Sequence, residues 1–101
     1  MQVEKVLAVL DSHMRREIFK VISRKPSTVL EVFEELKKGG LRIKYRETVY
    51  RALEKAVAAG LAEKYYDKGK GLCYKMTTSR LVIDLTHGTV SSESLKTARA
   101  T

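Results

Sequence analysis

The chain has 101 residues, 44% of them apolar, and 20 lysine and arginine side chains against 12 carboxylates give it a net charge of +8. That length suits one small domain and excludes a second large one, and no apolar run approaches the ~18 residues of a transmembrane helix. A single cysteine, Cys73, excludes an internal disulfide, and with only His13 and His87 beside it no zinc-ligand spacing exists, so no metal or other cofactor is expected.

Taken in order, Val3, Val6, Leu7, Val9 and Leu10 stripe a short first helix that ends near Asp11-Ser12. The start, Met1-Gln2-Val3-Glu4-Lys5, lacks the basic and apolar regions of a signal peptide, so the expected location is the cytoplasm. Asp11 or Ser12 caps a second helix in which Met14, Ile18, Val21 and Ile22 recur at helical spacing, and Pro26 stops it. Thr28 and Glu31 form a capping box for a third helix with Val29, Val32, Phe33 and Leu36 inward, and Gly39-Gly40 ends it. Leu41-Arg42-Ile43 reads as a short strand or an extended turn.

The next helix, about residues 46–59, is apolar on one side only. Val49, Ala52, Leu53, Ala56 and Val57 share a face, while Glu47, Thr48, Arg51 and Lys55 lie opposite, flanked by Arg46 and Tyr50. Its polar face is densest in the first two turns, where a helix set in a major groove meets base edges. Gly60 caps it and Leu61 folds back on it. Ala62–Tyr66 and Leu72–Thr77 then flank Asp67-Lys68-Gly69-Lys70-Gly71, a hairpin with a basic, glycine-rich tip.

Helix, helix, helix, turn, helix and hairpin, in that order, spell a mainly α winged helix-turn-helix over residues 1–77, with the hairpin at about 62–77 as the wing. Residues 78–90 read as a strand or short helix, with strand favoured, and as a candidate dimerisation element. Residues 91–101, small and polar, read as a flexible tail.

Charge is concentrated. Residues 12 to 25 carry +4 and residues 42 to 75 carry +5, which points to a polyanionic partner, double-stranded DNA. The candidate contacts are Arg15, Arg16, Lys44, Arg46, Thr48, Tyr50, Arg51, Lys55, Lys68 and Lys70. Tyr65, Tyr66 and Tyr74, interleaved with lysines, leave single-stranded nucleic acid open as a further reading. A winged helix used only for protein–protein contact, without direct DNA readout, is the alternative, because fold alone does not decide function. An enzyme needs a nucleophile with a base, a paired acid and base, or a metal centre, and none is visible, so no small-molecule substrate is expected. The exposed apolar runs Val3–Leu10 and Leu81–Leu85 predict a homodimer.

Glu47-Thr48-Val49-Tyr50-Arg51-Ala52-Leu53 followed by Ala59-Gly60-Leu61 resembles the recognition helix of the ferric uptake regulator family. Ser12-His13-Met14-Arg15-Arg16-Glu17-Ile18-Phe19 is similar to the start of its second helix, and Glu31–Leu36 with Leu41-Arg42-Ile43 to its third helix and turn. The resemblance spans about residues 5 to 90. It implies a homodimeric DNA-binding transcriptional regulator, with Tyr50 on a base and Arg51 near phosphate. Where the family has a histidine-rich run, this chain has Thr77-Thr78-Ser79-Arg80; Lys75 stands for a glutamate ligand, and Asp84-Leu85-Thr86-His87 for a paired-cysteine knuckle. The chain is thus expected to lack the family's metal ligands and most of its dimerisation domain.

Overall fold

The computed structural model describes residues 2–94. Over these residues the helices are α1 (Val3–Leu10), α2 (His13–Arg24), α3 (Val29–Lys38) and α4 (Arg46–Ala58). The strands are β1 (Ser27–Thr28), β2 (Ala62–Asp67), β3 (Gly71–Met76), β4 (Thr78–Asp84) and β5 (Thr89–Ser94). No helix among the described residues is long and apolar enough to cross a membrane.

Local chemistry sets most of these ends. The Ser12 hydroxyl accepts the Arg15 backbone N–H at 3.2 Å and opens α2. At α3 the Thr28 hydroxyl accepts the Glu31 N–H at 3.1 Å while the Glu31 carboxylate accepts the Thr28 N–H at 3.0 Å, a complete capping box. α3 and α4 end alike. Gly40 and Gly60 take φ of 85° and 81°, which only glycine adopts freely, and Leu41 and Leu61 donate back to the Leu36 and Ala56 carbonyls at 3.1 and 2.9 Å. The stretch Leu41–Ile43, read as a strand or turn, is a turn without strand pairing.

The four helices bury one core, with Val6, Ile18, Val32, Val49, Leu53 and Ala56 at its centre and Leu61 and Tyr74 joining from the strand side. Phe19, outside the apolar stripe read from the sequence, is also buried, whereas Met14 and Val21 are half-buried. Cys73 is buried in β3, as a small strand residue should be.

β2 and β3 pair antiparallel from Ala62↔Met76 to Asp67↔Gly71, with Asp67–Gly71 as the turn. β1 adds to the other edge of β3 through Ser27↔Tyr74 and Thr28↔Cys73, making a three-stranded sheet in the order β1-β3-β2. That strand had no sequence signature, since two residues show no alternation.

Residues 78–90 differ from expectation. Instead of one strand or short helix, β4 turns at Leu85–Gly88 and pairs with β5 in a separate two-stranded sheet, with a bulge between Thr78 and Arg80. Asp84 makes the turn: its carboxylate accepts the Thr86 and His87 N–H groups at 2.9 and 3.2 Å and meets the His87 ring at 2.8 Å. The expected tail therefore starts later, because Ser91–Ser94 belong to β5; residues 95–101 lie outside the described residues. α1 turns Val6 and Val9 inward and leaves Leu7 half-exposed, so that helix covers most of its own apolar run.

Candidate nucleic-acid interface

α4 presents Arg46, Glu47, Thr48, Tyr50, Arg51 and Lys55 to solvent while Val49, Ala52, Leu53 and Ala56 hold its opposite face in the core. Its start, like that of α1, has no side-chain cap. Tyr45 occupies the N-cap position and supplies no side-chain hydrogen bond, unlike Ser12 and Thr28 at α2 and α3. Unfilled amides at a helix start attract anions.

The β2–β3 hairpin stands beside this helix. A groove of about 520 Å³ between them is lined by Thr28, Val29 and Leu30 of the α3 start, Arg46, Glu47 and Tyr50 of α4, and Lys70 and Leu72 of the hairpin. Three of the sequence candidates, Arg46 and Tyr50 of α4 and Lys70 of the hairpin, are thus brought to one place by two different elements. Lys68 lies at the exposed turn, and Lys44, Thr48, Arg51 and Lys55 are exposed before and along α4.

Two ion pairs touch this surface. Arg51 donates to Glu47 at 2.8 Å with both side chains mostly exposed, a pair that binds weakly in water and leaves the guanidinium free to change partner. Lys70 sits 3.3 Å from Glu31. The Glu31 carboxyl is held below the usual carboxylate range by the Thr28 N–H it accepts, with Lys70 adding to this, and Lys70 is raised in turn by Glu31.

The hairpin is braced against α4 from the inner side. The Tyr74 hydroxyl, on a buried ring, donates to the Glu54 carboxylate, and Lys64 reaches both Glu54 oxygens at 3.0 Å. Glu54 is lowered by the Tyr74 hydrogen bond and then by Lys64; Tyr74 is raised by burial and by its bond to Glu54. These contacts fix the angle between helix and hairpin, which sets how both meet a partner.

Arg15 and Arg16 are not part of this surface. Arg15 donates to the Val9 and Ala8 carbonyls at 2.7 Å each and closes the end of α1, and Arg16 donates to the Leu10 carbonyl at 2.5 Å. Both guanidinium groups sit at the carbonyl end of a helix, a favourable site for a cation; Arg16 commits only one N–H there. Residues the sequence did not single out for this surface are Tyr45, 68% exposed at the α4 start, and Glu31, read there only as a cap, which holds Lys70. Tyr45 was legible as an N-cap position without a capping side chain; the Glu31–Lys70 pair joins residues far apart in the chain and was not.

No family model matches the chain, and no curated protein matches it in sequence. Solved structures do. The Vibrio cholerae ferric uptake regulator (Fur), whose crystal structure was described as revealing a rearrangement of its DNA-binding domains, superposes with a TM-score of 0.59 at 22% identity, covering 82% of this chain and 67% of that one. A manganese uptake regulator superposes at 0.58 and 21% identity, covering 98% of this chain and 78% of that one. The fold is Fur-like. Both proteins are named for a metal, and the donors present here do not fit one: among the described residues no three His, Cys, Asp or Glu side chains converge. Asp84 and His87 are spent on each other and on their own turn, and Lys75 pairs with Glu63 at 3.9 Å and lies over the Tyr65 ring.

Proposed function

We propose that this chain, folded like the ferric and manganese uptake regulators, is a winged helix-turn-helix that reads double-stranded DNA in sequence-specific fashion and regulates transcription as a homodimer. α4 enters the major groove with Arg46, Thr48 and Tyr50 toward base edges and Arg51 and Lys55 toward phosphate. The β2–β3 hairpin is the wing, with Lys68 and Lys70 on the backbone or minor groove. The observation that carries this reading is the groove that gathers Arg46, Tyr50 and Lys70 from a helix and a hairpin braced together. Lys44 and the open amides at the α4 start supply further phosphate contacts. No metal step enters this reading, and exhaustive chelation is expected to leave DNA affinity unchanged.

The test separates base from backbone contacts. Tyr50→Ala is expected to cost about 1–3 kcal/mol on the cognate site and little on random DNA. Lys68→Ala with Lys70→Ala is expected to weaken binding to any sequence and to reduce the log–log salt slope by about one to two per half-site. Equal losses for Tyr50→Ala on both DNAs, measured by fluorescence anisotropy, refute the docking. A protein-binding reading is favoured by one observation, the half-exposed Leu30 and Leu72 beside Tyr50 in the same groove. It predicts binding insensitive to salt and no gel shift on the DNA upstream of the chain's own gene.

A further inference from the structure

A second cavity lies away from the α4 groove and shares no residue with it. It is a cleft of about 620 Å³ between α2 and β4, within the size range of small-molecule sites. Its walls are mainly apolar, with Leu10, Phe19, Leu61, Met76 and Leu81 beside the hydroxyl residues Ser23, Thr78 and Ser79. Its rim carries Arg16, Lys20, Arg24 and Arg80.

The carboxylates facing these cations are few. Glu17 is held by Lys20 at 2.7 Å, and Glu93 reaches Arg80 only at 3.5 Å. Arg16 uses one N–H on the Leu10 carbonyl, which leaves most of its donors unspent. Arg24 has no carboxylate within ion-pair distance among the described residues. Four cations against two carboxylates leave the rim positive above an apolar floor.

We infer that the cleft between α2 and β4 binds a small amphipathic carboxylate, its apolar body on Phe19, Leu61 and Leu81 and its carboxylate between Arg24 and Arg80. A neutral apolar molecule fills the floor but leaves the rim guanidinium groups partly dehydrated and unpaired. A small inorganic anion satisfies the rim but leaves the floor wet. Only a molecule with both parts uses both surfaces, and arginine forks suit a planar carboxylate. The occupant touches α2 on one side and β4 on the other, so it ties the β4–β5 hairpin to the helices.

The site is independent of the DNA reading, and its test uses no DNA. Decanoate is titrated into the full chain below its micelle concentration and followed by two-dimensional NMR, with decanol as the neutral isostere. The expected result is saturable shifts at Phe19, Leu61, Met76 and Leu81, and a rise in Tm. Decanol should bind about tenfold more weakly or worse, as should decanoate to the Arg24→Gln, Arg80→Gln double variant, the loss of a charge-assisted hydrogen bond. Both substitutions sit on exposed side chains and spare the core. Equal binding of decanol and decanoate, unchanged decanoate binding by the double variant, or shifts confined to Tyr50 and Leu72 would each overturn the assignment. So would shifts that follow protein concentration and ignore decanoate, since a second copy of the chain would then cover the cleft.

Discussion

Tyr74 carries more of the architecture than its place in a hairpin strand announces. Its ring is buried in the core and its hydroxyl ends on Glu54 of α4. Tyr74→Phe keeps the ring and removes a hydrogen bond to a charged group, so it is expected to cost about 1.5–3 kcal/mol in urea unfolding. The same residue sets an alkaline limit. Burial, and then the bond to Glu54, raise its ionisation above the ordinary tyrosine value, so the folded state holds that proton while the unfolded chain loses it. The contribution is full below about pH 10 and fades as pH rises beyond it. Tyr74→Phe should flatten that alkaline loss, which a stability profile from pH 8 to 11 will measure. Spacing made Tyr74 legible as a strand residue, but its partner Glu54 lies on another element and only the fold brings them together. Arg15 and Arg16 show the same gap from the other side: as sequence they are two cations in a basic cluster, yet in the fold they close the end of α1.

Elements whose signals are local were readable. The box of Thr28 and Glu31, the Ser12 cap and the two glycine-leucine helix ends all use residues within five positions of one another, and all stand where their spacing puts them. Elements defined by pairing were not. β1 is two residues long, and β5 runs Thr89-Val90-Ser91-Ser92-Glu93-Ser94, whose polar composition reads as tail until β4 lies beside it. The capping box makes a further test. Thr28→Ala is expected to lose about 1 kcal/mol, and because Glu31 is depressed by the Thr28 N–H it accepts, its contribution is present above the ordinary carboxylate range. It disappears as pH falls through the lowered folded value. Thr28→Ala leaves that N–H in place but loosens the box, so the gap between variant and parent should narrow on acidification, as read by urea midpoints at pH 7 and pH 3.

At the scale of the molecule, we propose the β4–β5 hairpin as the interface of the proposed dimer. Val82 is 58% exposed and Leu85 is 90% exposed, on a two-stranded sheet with open edges. Such a sheet is marginal alone, and a second copy would cover it. Val82→Asp with Leu85→Asp is expected to give a monomer by sedimentation at tens of micromolar while leaving α4 folded; a parent chain already monomeric there removes the dimer from the proposal. The bare start of α4 bears on the complex as a whole. The Tyr45 carbonyl takes the Thr48 N–H at 3.1 Å and no side chain caps the helix, so a DNA phosphate is the natural group to take the amides of Arg46 and Glu47. The free protein should therefore exchange those two amide hydrogens quickly, at rates close to those of an open chain, and cognate DNA should slow them far more than any other amides of α4. The helix that would do the reading is, on this account, finished only by what it reads.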